Sequence, residues 1–188
     1  MSVTPISGVT GVGLSSVCRE ARRRLSDEYT LINFGDSMLE QAATAGITTD
    51  RDELSSLSRR EIRRLQRRAG EYVADVAEDD RVLLATHLTV KTENGFIDGL
   101  PNDVLNEITP QRFVVLEATP ETILDRRERS DRSVDLPSPR AVEFEQHLNR
   151  AAAFEYAREL NAPVQFVENE DDIDEAAEAV VGLLSEES

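Results

Sequence analysis

Short apolar runs alternate along this chain with stretches whose apolar residues recur every three or four positions, the pattern of an α/β sheet with crossover helices. Val3–Ser7 reads as a first strand running straight into a glycine-rich loop at Gly8–Gly13, followed by a helix from about Ser15 to Ser26. Tyr29–Phe34 (YTLINF) is a second strand, ended by Gly35 and a helix over Asp36–Ala45. A long helix is predicted over Leu57–Glu78, with Ile62, Leu65, Ala69, Val73 and Val76 on one face. Arg81–Ala85 and Arg112–Glu117 read as buried strands, with helices following at about Glu121–Arg129 and Ala141–Leu160. Val164–Val167 is the last strand and Asp171–Ser185 the last helix. Pro5 conflicts with its strand, because proline cannot donate to a ladder and central strands rarely carry it. With 188 residues, no repeats and no long linkers, the expectation is one doubly wound domain spanning 1–188. Such sheets bind ligands outside the carboxyl ends of their strands. That directs attention to Gly8–Ser16, Asn33–Met38, Thr86–Lys91 and Glu117–Thr119.

The first of these segments carries the sharpest chemical signal. Gly8 to Ser16 reads GVTGVGLSS, which fits the phosphate-loop pattern G-x-x-x-x-G-K-[ST] at every fixed position except the lysine. Glycines there let successive backbone N–H groups curl around phosphate oxygens, and the next helix offers its positive end to the same anion. Ser15 stands where such loops hold Mg²⁺. Leu14 stands where the cation should be, so nucleotide binding is expected and catalysis is the open question.

Composition sharpens this picture. Lys and Arg total 21 against 37 Asp and Glu, for a net charge of −16 and a pI near 4.5. Lys91 is the only lysine. An acidic, lysine-poor surface resembles those of salt-in halophiles, where a Debye length of roughly 3 Å or less screens self-repulsion. The same acidity argues against a nucleic-acid partner, which needs positive charge. The arginines at 59, 60, 63, 64, 67 and 68 are spaced for a solvated helix face. Cys18 is the lone cysteine, so neither an internal disulfide nor a multi-cysteine metal site is expected. No apolar run is long enough to span a membrane and no leader pattern opens the chain, so a cytoplasmic location is expected.

Beyond the loop come N-F-G-D-S-M (33–38), D-R-D-E-L (50–54) and T-H-L-T-V-K-T (86–92), then G-L-P (99–101), L-E-A-T-P-E-T-I-L-D-R-R (116–127) and N-R-A-A-A (149–153). In this order they resemble the archaeal-type adenylate kinases over nearly the whole chain. The resemblance implies a three-layer P-loop fold with a five-stranded parallel sheet in the order 2-3-1-4-5. It also implies an AMP-binding segment at about 33–80, a lid at about 126–140 and the reaction MgATP + AMP ⇌ 2 ADP. Partners would be ATP, AMP and Mg²⁺, together with further copies of the chain, in trimers for many members. Carried over position by position, Gly8, Gly11, Val12, Gly13, Leu14, Ser15 and Ser16 would cradle the ATP phosphates. Asn33, Phe34, Gly35, Asp36 and Met38 would form the AMP pocket with Arg51. Thr86, His87 and Lys91 would line the space between the nucleotides. Arg126, Arg127, Arg129 and Arg132 match the lid, and Arg150 matches a helix arginine that reaches the phosphates. Ser15, Asp36 and Glu117 are the candidates to hold Mg²⁺, directly or through water.

Several positions depart from the family pattern. Thr10 replaces a proline, Ala85 an aspartate in D-T-H, Ser55 an arginine, and Val134 an arginine of the lid, in addition to Leu14. Two other readings therefore stand beside the kinase. One is a catalytically impaired homologue that binds nucleotide as a sensor or assembly partner, and the other is a P-loop ATPase that remodels a partner.

Overall fold

The computed structural model describes residues 2–92, 95–130 and 138–185. Arg132 and Val134, and with them the middle of the expected lid, lie outside the described residues.

Five parallel strands form the central sheet: β1 (Ser2–Ser7), β2 (Tyr29–Asn33), β3 (Arg81–Thr86), β6 (Phe113–Glu117) and β7 (Val164–Glu168). Between β3 and β6 the chain makes a separate antiparallel hairpin, β4 (Thr89–Thr92) with β5 (Gly95–Asp98). The sheet order is β2-β3-β1-β6-β7, so its strands taken in chain order run 2-3-1-4-5 as expected. The seven helices among the described residues are α1 (Leu14–Arg24), α2 (Phe34–Thr44), α3 (Arg59–Asp79), α4 (Asn102–Ile108), α5 (Pro120–Glu128), α6 (Pro139–Leu160) and α7 (Ile173–Ser185). A short 3-10 turn, Asp52–Ser56, precedes α3.

Side chains alternate across the sheet, and the alternation separates two cores. Leu83 and Ala85 of β3 and Val114 and Leu116 of β6 face the core built on α1 and α7. Val82, Leu84, Phe113 and Val115 face the opposite core, with α3, α4 and α6. Both faces of the strands are therefore apolar, as a helix-covered parallel sheet requires. Ile62, Leu65, Ala69 and Val73 of α3 are buried as the periodicity predicts, joined by Gln66, Gly70 and Ala77.

Pro5 sits in the central strand after all. Against β3 the strand pairs along its whole length, from Ser2↔Arg81 to Ser7↔Thr86. Against β6 the pairing is confined to Ile6↔Val114 and Ser7↔Val115, past the proline. The ladder that proline cannot serve is simply short.

Candidate functional site

The loop after β1 is shaped by its glycines. Gly11 and Gly13 have φ of +88° and +91°, a region that glycine enters without strain. A Cβ on Gly13 would lie 2.4 Å from Nδ2 of Asn169, and one on Gly8 would lie 3.0 Å from the Leu116 carbonyl oxygen. Gly13 caps α1 with no side-chain bond to its first N–H groups, which leaves those donors available to an anion. Leu14 is buried with the α1 core, whereas Ser15 beside it is exposed and Ser16 half-buried. Val12 is fully buried, and its carbonyl accepts from Asn169 Nδ2 at 2.7 Å.

Arg126 and Arg127 are the loop's braces. Arg126 donates to the carbonyls of Val12 (3.2 Å), Asn169 (2.8 Å) and Glu170. Arg127 donates from Nε to the Thr10 carbonyl at 2.8 Å and pairs with Glu145 at 2.7 Å. Each guanidinium thus gives one hydrogen bond to the outer backbone of the loop and spends its other donors on the segment after β7 or on α6. Arg129 is exposed and lies 4.0 Å from Asp125.

At the exit of β2, Asn33 accepts from the Asp36 N–H at 3.1 Å and so caps α2. Phe34 is buried and Met38 packs at the edge of the α3 core. Asp36 forms an ion pair with Arg51, whose guanidinium lies beside Gly35. Ser15, Arg19, Asn33, Asp36, Ser37, Glu40 and Ala85 share a cleft of about 410 Å³ between α1 and α2. Of the Gly8–Ser16 motif, Ser15 lines this cleft, beside Asn33 and Asp36 of the expected AMP segment.

Thr86 ends β3 and His87 follows it. Thr86 is buried, and the His87 ring places Nδ1 2.6 Å from the Gly8 carbonyl oxygen. A Cβ on Gly99 would lie 1.7 Å from the His87 carbonyl oxygen, so the G-L-P turn closes directly on this histidine. Gln66 holds the turn from behind, donating to the Asp98 and Gly99 carbonyls at 2.8 and 3.1 Å. Lys91 projects from β4 and is exposed.

Arg150 pairs bidentately with Glu117, through Nε to Oε1 and through NH2 to Oε2 at 3.2 Å. Among the described residues no cluster of three or more His, Cys, Asp or Glu side chains is poised to hold a metal. An exposed Ser15 hydroxyl with at most one or two carboxylates fits Mg²⁺ delivered on a nucleotide, since that ion keeps water and phosphate oxygens as its main ligands. Cys18 is fully buried on α1, and burial pushes its thiol up to about 12. The native chain should resist a disulfide reagent at neutral pH and react only on unfolding, as a release assay in and out of denaturant would record.

Three buried amides were assigned no role from the sequence: Asn149, Gln146 and Asn169. Asn149 joins the Leu88 N–H (3.3 Å) to the Ser7 hydroxyl (3.2 Å), and Gln146 binds both backbone groups of Ala118. Asn149 opens N-R-A-A-A, so its motif pointed to it. Asn169 had only its place just after the last strand, and Gln146, in the middle of α6, lacked even that signal.

A family model for the AAA domain matches residues 7–141. Adenylate kinase from Pyrococcus furiosus is 39% identical over 185 residues, covering 97% of this chain and 94% of that one. The chain belongs to the adenylate kinase family. Adenylate kinase from Methanococcus vannielii is also similar, at 35% identity over 97% of this chain and 98% of its own. Among solved structures, a shikimate kinase from Bacteroides thetaiotaomicron (TM-score 0.59, 98% of each chain) and a gluconokinase from Sinorhizobium meliloti (TM-score 0.54, 98% and 94%) share the fold at 15% identity. That fold is the P-loop kinase architecture described above. No helix among the described residues is long and apolar enough to cross a membrane.

Proposed function

We propose that the chain transfers the γ-phosphoryl group of MgATP to AMP, giving two ADP. The observation that carries this reading is the cleft of about 410 Å³ whose lining brings Ser15 together with Asn33 and Asp36 of the second-strand exit. Phosphoryl transfer asks the protein for alignment and for positive charge on the transferring oxygens, with little covalent chemistry. The attacking AMP phosphate is already anionic, so no general base is required.

In this reading the backbone of Gly8–Gly13 and the open start of α1 hold the ATP phosphates. Arg126 and Arg127 keep that backbone in shape from outside. Arg150 is the cation that replaces the missing loop lysine, with Arg129 and Lys91 approaching as the site closes. Arg51, with Asp36, orients the AMP phosphate. Thr86 and His87 stand between the two nucleotides, where water must be excluded to suppress ATP hydrolysis. Mg²⁺ bound with ATP would be held by the Ser15 hydroxyl, with Asp36 or Glu117 through water, and supplies charge neutralisation at the β- and γ-oxygens. The nucleic-acid-free, cytoplasmic and homo-oligomeric setting, possible trimers included, belongs to the same proposal.

A halophilic, archaeal setting is part of this proposal, supported by the charge of −16 and the single lysine. Coupled ADP formation should therefore be measured in about 2–3 M KCl, where screening is strong, and again in dilute buffer. The expected outcome is AMP-dependent turnover of roughly 1–100 s⁻¹ in high salt, lost in dilute buffer as the fold loosens. ATP and AMP binding without turnover in high salt would replace the kinase by the sensor reading. Turnover independent of AMP would point to an ATPase.

A further inference from the structure

Glu117 and Arg150 present a conflict that the kinase reading leaves open. One was expected to serve Mg²⁺ and the other the phosphates, yet each occupies the other. The carboxylate takes Nε and NH2 of the guanidinium, and NH1 lies 2.9 Å from Nδ1 of His147. Arginine has no acceptor, so His147 Nδ1 must be the acceptor, and the ring carries its proton on Nε2. All three nitrogens of the guanidinium are thus engaged, and its planar fork is fixed on both sides.

The place of this contact matters as much as its geometry. Glu117 ends β6, one residue after Leu116, whose carbonyl abuts Gly8. Its own carbonyl accepts from the Asn169 N–H at 2.8 Å, and Asn169 in turn holds Val12 of the loop. On the other side, Asn149 next to Arg150 anchors α6 to Ser7, the last residue of β1. The guanidinium is therefore held from two elements, one tied to the loop through Asn169 and the other to the end of the strand that leads into it. The Arg150 and Glu117 side chains are 33% and 21% exposed, open enough for a ligand to compete.

We propose that Glu117 and His147 are positioning residues that park Arg150 beside the phosphate loop and yield it to an arriving phosphate group. This rests on the kinase reading for the identity of that phosphate. A phosphate accepts the same planar fork that a carboxylate does, with more charge, so exchange needs no new geometry. The carboxylate in the meantime keeps the guanidinium oriented and off other acidic groups, which are abundant in a chain of net charge −16. Exchange frees Glu117 at the moment the nucleotide arrives. Holding the cation comes at a cost in affinity, because ATP must displace a good partner.

The test is ATP affinity by calorimetry in high salt, without AMP, with and without Mg²⁺. The chains compared are the parent, Glu117→Gln, His147→Ala, Arg150→Ala and Glu117→Gln with Arg150→Ala. Parking predicts that Glu117→Gln binds ATP roughly 3- to 10-fold more tightly, the scale of releasing one partly exposed charge-assisted pair. The gain should be independent of Mg²⁺ and vanish in the Arg150→Ala background. His147→Ala, an exposed position that the fold tolerates, should tighten binding in the same direction by less. Unchanged affinity in both single variants overturns the proposal and leaves the contact purely structural. Weaker binding seen only with Mg²⁺ overturns it in favour of a metal role for Glu117. If the parent chain itself fails to bind ATP, the kinase reading falls first and parking falls with it.

Discussion

Arg150→Ala should lower AMP-dependent ADP formation by about 10³-fold, the low end of what one transition-state arginine supplies. The expectation follows from a count of available cations. Leu14 removes the loop's own charge, and it is buried in the α1 core. Arg126 and Arg127 are committed to backbone carbonyls and to Glu145. Arg51 is paired with Asp36, and Arg129 is exposed at the end of α5. Arg150 is held between the end of β6 and α6 by a carboxylate partner that a phosphate can displace. Its helix is held by Ala152, Ala153, Tyr156 and Ala157 on the opposite core, so truncation at 150 leaves the packing of α6 intact. A coupled assay, paired with thermal melts in the same salt, checks this. The loss should fall on kcat, with the melting midpoint moved by only a few degrees. An unchanged rate would remove Arg150 from the phosphate path and return the problem to Lys91 and the lid.

The sheet was legible because its apolar alternation is strict. Val82–Ala85 and Phe113–Leu116 alternate between two cores, and both cores are apolar, so these two strands announce themselves as continuous apolar runs. The hairpin at Thr89–Asp98 was not, because its strands are four residues each and half of their side chains are polar. Helix α4 has seven residues, fewer than periodicity needs to show. In the site, the glycines were readable by residue type, since only glycine fits φ near +90°. The arginines were readable as cations but not as occupants of a place. Arg126 and Arg127 are adjacent in sequence and equally charged, and nothing in the pattern says that they would turn to Val12 and Thr10. A partner is a property of the fold, whereas a charge is a property of the residue.

Arg127→Ala is expected to destabilise the chain by about 3–5 kcal/mol, the usual cost of removing one member of a buried ion pair. The Arg127 side chain is 4% exposed and that of Glu145 17%. Truncation would leave the carboxylate without its cation and the Thr10 carbonyl without its donor. It would also remove the stem that packs on Gly11, where an added Cβ would meet Arg127 Cγ at 2.9 Å. Glu145→Gln should cost less, about 1–2 kcal/mol, because an amide can still accept from the guanidinium. Adding Glu145→Ala to Arg127→Ala should recover part of the loss, since the stranded charge disappears with its partner. Urea unfolding in high salt measures all three. The functional consequence separates this brace from the cation beside it. Arg150→Ala should cut the rate by about 10³-fold and spare stability, whereas Arg127→Ala should weaken ATP binding in proportion to the loop order it removes. Full additivity in the double variant would mean that the Arg127–Glu145 contact carries no coupling, leaving the bond to the Thr10 carbonyl as Arg127's hold on the loop.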